Sequence, residues 1–204
     1  VRFLLEDLLD LTPHIQTVYS ESLQYAEETL PRFEIDTPTR WRHFFAQTLH
    51  ETQGYAKLIE NLSYSAERLL DVWPRRFPTM QDALPYARNP RALANKVYGG
   101  RLGNLNAEDG WIFRGRGFLQ ITGRSNYQRV SDLLGRDFVR RPDDTLLPTQ
   151  VLAVAAAIWK DLGANEAADT DDVVQVTKKV NGGTHGLPDR TTWFLRVQGA
   201  ILDA

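Results

Sequence analysis

Residues 150–162 read Gln-Val-Leu-Ala-Val-Ala-Ala-Ala-Ile-Trp-Lys-Asp-Leu, apolar nearly all the way round a helix. A helix without a polar face has to be buried. Its alanines let neighbouring helices approach closely, and Gly163 can stop it. A chain of 204 residues is long enough to build a core around it. Other segments also carry the helical period. Ile15, Val18, Tyr19, Ser22, Leu23 and Ala26 share a face ahead of Pro31. Ser65 can cap a short helix with Leu69, Leu70 and Val72, closed by Pro74. Asn89-Pro90 opens another, through Leu93 and Val97 to Gly99-Gly100. Helices are also expected from about Asp171 to Val180 and from near Asp189 through Ile201. The expected class is mainly α. No repeat or interdomain linker interrupts the chain, so residues 1–204 are read as one catalytic domain. Residues 1–36 form an N-terminal helical segment packed on it.

The chemistry begins on the stretch His43-Phe44-Phe45-Ala46-Gln47-Thr48-Leu49-His50-Glu51-Thr52-Gln53-Gly54. Thr37 can cap this helix, with Pro38 in the first turn and Gly54 at the end. Trp41, Phe44, Phe45, Thr48 and Leu49 make the core stripe. Glu51 falls at the margin of that stripe, and His43 and His50 fall nearly opposite it. A half-buried carboxyl suits a general acid, although a glutamate in a last turn is also an ordinary surface residue. Glu60 follows after the glycine break. Two acids on separate elements suit cleavage of a glycosidic bond. They do not suit zinc capture, because H-E-x-x-H would need histidine where Gly54 stands.

The chain has no cysteine, a net charge of −2 and a pI near 6.1. This excludes a disulfide framework and argues against a nucleic-acid partner. No apolar run approaches the roughly 18 residues of a membrane span, and residues 1–20 lack signal-peptide features. Neither a metal nor any other cofactor is expected. Residues 99–118 are glycine-rich and irregular. Gly115-x-Gly117 is a poor dinucleotide fingerprint, since no strand precedes it and the third glycine is missing. A glycine-shaped loop running into a short strand fits better. It would offer the neutral groups of Gln120, Thr122 and Asn126 to a sugar cleft, or use them to cap local backbone.

Six pieces then occur in a telling order. They are Phe45 to Thr52, Glu60-Asn61-Leu62-Ser63-Tyr64-Ser65-Ala66-Glu67, Ala94 to Asn104, Gly110 to Tyr127, Lys179-Val180-Asn181-Gly182-Gly183, and Asp189-Arg190. From about Trp41 to Arg190 the chain resembles the family-19 glycoside hydrolases, and within them the lysozyme-like endolysins of phages and bacteria. The resemblance implies a lysozyme-like two-lobed helical fold with a small β element and a central cleft. It implies Glu51 as general acid, Glu60 as general base and Thr122 as the hydroxyl that helps hold the attacking water. Gln120, Asn126, Asn181, Arg190 and Tyr64 would bind substrate. The reaction would be an inverting single displacement.

Three features depart from the plant chitinases of that family. Their disulfide cysteines are absent, the segment between the two acids is shorter, and Thr184-His185 stands where an acid is usual. Glu67 is therefore a reserve base, and His185 a residue that could touch substrate. The implied partners are peptidoglycan glycan strands, or chitin oligomers, met by a monomer. The protein would be made in a bacterial cytoplasm and act on the cell wall. A chitinase and an interbacterial wall-degrading toxin share this chemistry. A non-catalytic sugar-binding relative would have lost an acid, and both are intact.

Overall fold

The structure is a computed structural model, and it describes residues 2–202. Among these are thirteen α-helices, three short 3-10 turns and one antiparallel strand pair, Arg2–Phe3 with Ile201–Leu202. The alanine-rich helix runs Pro148–Asp161, and its Val151, Ala155, Ala156 and Trp159 are buried. Against it stands the Pro38–Thr52 helix. Thr37 caps that helix by accepting from the Arg40 amide. Phe44 meets Trp159 edge-on at 5.5 Å. Leu8, Leu23, Ala26, Leu30 and Ile35 enter the same core as Trp41 and Phe45, so the N-terminal helices pack on these two.

The Pro38–Thr52 helix has two buried faces where the sequence suggested one. The Leu187–Val197 helix crosses the side opposite the aromatic stripe. His43 is consequently fully buried, stacked on Phe194 at 4.4 Å with its Nε2 3.1 Å from Asp171. Burial pushes the His43 pKa down, against the opposing pull of Asp171. The helix ends at Thr52, and Gln53 takes the left-handed conformation one residue before Gly54 does.

A second core forms from Leu62, Leu69, Phe77, Leu93 and Val97. The caps read from sequence are present here. Ser65 accepts from Arg68 N and Asn89 from Ala92 N, opening helices Ala66–Val72 and Pro90–Tyr98. A third cluster holds Phe113, Ile121, Tyr127, Val130 and Phe138. The result is the mainly α-helical, two-lobed arrangement expected.

Two local expectations differ. The face from Ile15 to Ala26 is split into helices Thr17–Leu23 and Ala26–Thr29, where the Ser22 hydroxyl donates back to the Tyr19 carbonyl. The short strand expected after Gly117 is a turn with two isolated bridges, Ile59 to Arg116 and Arg116 to Ile121. Positive φ at Gly117 and Gln120 folds the backbone over before a strand can extend.

Candidate active site

Glu51 sits in the last turn of the Pro38–Thr52 helix with its side chain 23% exposed. Its neighbour is a guanidinium rather than the aromatic stripe. Arg190, from the last helix, is 1% exposed. It donates through Nη2 to Glu51 Oε1, through Nη1 to Gln47 Oε1, and through Nε to the His185 carbonyl at 3.1 Å. Gln47 in turn donates to Thr177 Oγ1 at 3.3 Å. Arg190 thus lies beneath Glu51 and fixes it, while Glu51 keeps an open side. His50 packs on the same helix pair, with Nδ1 2.6 Å from Asp189 and its ring against Gly186. His185 is exposed, and its carbonyl, which accepts from Arg190, is its contact with this network.

Glu60 is held from the other lobe. Leu58 to Glu60 runs beside the 115–117 turn, with Glu60 N donating to Gly115 O at 3.1 Å and Gly117 N to Leu58 O at 2.8 Å. The Gly115 amide donates to Glu60 Oε1, and Tyr98 OH donates to Oε2 at 2.7 Å. Burial and the Glu60 charge push the Tyr98 phenol well above its ordinary pKa, so it remains a donor. Gly115 is where the site closes up. A methyl group there would meet Gln120 Oε1 at 3.1 Å, Thr122 Oγ1 at 3.2 Å and Glu60 Cβ at 3.4 Å. Glu60 and Thr122 therefore both flank Gly115.

Glu51, Gln120, Thr122, Asn126 and Asn181 all line one open cavity of about 350 Å³. Its walls include Leu102 and the Arg129–Asp161 ion pair. Part of the polar inventory is already committed to local structure. Gln120 Nε2 donates to Leu58 O and Gly117 O, Thr122 Oγ1 to Gln120 O at 3.1 Å, and Asn126 Nδ2 to Thr122 O at 2.7 Å. Their remaining oxygens are the groups left to meet a ligand. The same side chains cap local backbone and line the cavity.

Tyr64 stands outside that cavity, in the second lobe, edge-on to Trp73 at 5.3 Å and within electrostatic reach of Tyr98. Glu67 is exposed at the start of its helix, where a hydrogen bond from Ser65 lowers its pKa. It does not line the cavity. Sequence reasoning gave no role to Tyr98, Gln47 or the Gly115 amide. Gln47 was findable, since it precedes Glu51 by one helical turn on the same face. Among the described residues, no three His, Cys, Asp or Glu side chains gather as metal ligands. No described helix is long and apolar enough to cross a membrane.

The chain resembles known proteins in sequence and in fold. A curated Haemophilus influenzae protein named as glycosyl hydrolase family 19 domain-containing is 39% identical over 149 residues, 72% of each chain. No protein-family model matches the chain. The crystal structure of a bacterial family 19 chitinase superimposes with a TM-score of 0.61 at 18% identity, covering 96% of this chain and 93% of that one. A chitinase C mutant gives 0.61 at 15% identity, over 95% and 90%. A class IV family 19 chitinase from Zea mays gives 0.55 at 13% identity, over 98% and 91%. Identities this low carry the fold alone, whereas the Haemophilus match carries the family. The chain belongs to glycosyl hydrolase family 19 and is a glycoside hydrolase.

Proposed function

We propose that the protein cleaves β-1,4 glycosidic bonds of bacterial peptidoglycan, acting as a muramidase-like endolysin by single displacement with inversion. Glu51 gives its proton to the glycosidic oxygen. Negative charge then develops on Glu51, and Arg190 is already in place to hold it without reorganisation. Glu60 takes a proton from the attacking water. The Gly115 and Tyr98 donors fix its orientation. The Thr122 hydroxyl gives its hydrogen to Gln120 O, which leaves its lone pairs to accept from that water. Gln120, Asn126 and Asn181 line the cavity where sugar hydroxyl and acetamido groups would lie, with Tyr64 further along the second lobe. Arg190 serves the substrate through Glu51.

One observation carries this reading. Glu51 opens into the cavity whose wall holds Thr122, and Thr122 is packed through Gly115 against Glu60. The solved structures named above are chitinases, and that favours a second reading, chitin on the same machinery. Digestion of purified sacculi beside chitin oligomers, with the Glu51→Gln variant as control, tests both. Muramic-acid reducing ends released by the wild type and reduced about 10²–10⁴-fold in the variant are expected. Chitin cleavage with untouched sacculi would replace the first reading by the second. A folded Glu51→Gln enzyme retaining most activity would remove Glu51 from the chemistry. The expected monomer is tested by light scattering of the free protein.

A further inference from the structure

Arginines on the segments that build the site are mostly neutralised. Arg116 pairs with Asp143, Arg124 with Asp109, Arg129 with Asp161 and Arg190 with Glu51. Arg101 and Arg114 are different: among the described residues neither forms an ion pair with a carboxylate, yet both stand within electrostatic reach of the Tyr98–Glu60 pair. Arg114 is half-buried and preorganised. Its Cζ stacks 4.0 Å above the Trp111 ring and Nη1 donates to Trp111 O at 2.9 Å. The anions in its field are Asp143, already paired with Arg116, and Glu60, already holding two hydrogen bonds. Burial and the nearby Arg116 push the Arg114 pKa down, against the opposing pull of Asp143, Tyr127 and Glu60. Arg101 is exposed on the loop that begins after Tyr98, and its backbone N–H donates to Tyr98 O at 3.2 Å.

We propose that Arg101 and Arg114 bind a carboxylate of the substrate, making the enzyme selective for acid-bearing glycan over neutral glycan at the Glu60 side of the cleft. This rests on the reading of the chain as a peptidoglycan hydrolase. Planar guanidiniums with free donors match a carboxylate, and the Trp111 face fixes one of them before substrate arrives. Chitin carries no carboxylate. Peptidoglycan has two sources, the lactyl ether of muramic acid when freed of peptide, and the stem peptide.

The test compares kcat/KM on peptide-free glycan strands, on the same strands with lactyl carboxyls reduced to alcohols, and on sacculi with stem carboxyls free or amidated. The wild type should prefer a carboxylated substrate about tenfold, as a charge-assisted hydrogen bond to a half-buried cation allows. The preference should lie in KM and shrink with salt. Arg101→Gln with Arg114→Gln should bring it to about onefold, measured on protein whose melting confirms folding. The exposed Arg101→Glu variant alone should lower it, and serves if Arg114 variants fail to fold. A preference on stripped strands identifies the lactyl group, and one confined to sacculi identifies the stem peptide. Equal rates of the wild type on charged and neutral substrates overturn the proposal alone, as does a folded double variant that keeps the preference. No cleavage of any peptidoglycan substrate overturns the hydrolase reading on which it rests.

Discussion

Gly115→Ala should slow the enzyme without unfolding it. Gly115 has no positive φ, so alanine is compatible with its backbone. The added methyl, however, meets Gln120 Oε1, Thr122 Oγ1 and Glu60 Cβ at 3.1, 3.2 and 3.4 Å. Ordinary contacts are longer, so these groups must give by a few tenths of an ångström, to an order of magnitude. Crowding a packed site costs about 1–3 kcal/mol, and the lost freedom of the unfolded chain returns about 0.4–1 kcal/mol. Net destabilisation should stay below about 3 kcal/mol. Catalysis is less forgiving, because a misplacement of about 1 Å can cost 10²-fold. A few tenths should lower kcat about three- to tenfold with little change in KM. Gly199→Ala is the control, since nothing lies within 4 Å of its added carbon. Thermal melting and steady-state kinetics on soluble glycan strands read both effects. Unchanged kcat in folded Gly115→Ala would mean that Glu60, Thr122 and Gln120 are not the machinery.

Thr122→Val should lower kcat about tenfold or more while Thr122→Ser keeps most of it, because only the hydroxyl can accept from the attacking water. Equal rates for the two variants would refute that role. Arg190→Lys should lose about 1–3 kcal/mol in denaturant unfolding and also lower kcat, since a point charge cannot serve Gln47, Glu51 and the His185 carbonyl together. Retained kcat would show that Glu51 does not depend on the clasp. Asp109 is buried and accepts from Arg124 at 2.6 Å and from the Leu105 and Asn106 amides, which hold its carboxyl well below the usual range. A depressed folded pKa contributes stability that is present above the unfolded value of about 3.9 and is lost as pH falls below it. Wild type and Asp109→Asn should therefore converge in unfolding midpoint between about pH 4 and pH 2, and a constant gap would contradict the ion pair's role.

Caps and local periods were the legible part of the sequence. Thr37, Ser65 and Asn89 accept where they were placed, because a cap is satisfied within three residues of itself. The two-faced burial of the Pro38–Thr52 helix was not legible. His43 looks solvent-facing until the Leu187–Val197 helix, some 150 residues later in the chain, covers it. The strand expected after Gly117 failed for a related reason. Gln120 takes positive φ because its side-chain amide is fixed by Leu58 O and Gly117 O, a contact across about 60 residues. At the site, residue types identified Glu51, Gln120, Thr122 and Asn126 as candidates, the family resemblance added Asn181, and all five share one cavity. What spacing could not supply was support. The grip of Arg190 on Glu51 and of Tyr98 on Glu60 arises only when distant segments meet.

The pairing of Glu51 as acid with Glu60 as base is tested most directly by proton NMR of the first product anomer during cleavage of a β-linked glycan oligomer. An inverting pair requires space for a water on the face of the sugar opposite the acid, with carboxyls roughly 6.5–9.5 Å apart, whereas a retaining pair stands about 5–5.5 Å apart. The α anomer should appear first and only later mutarotate. A β anomer as first product would contradict the pairing and turn the second carboxylate into a nucleophile.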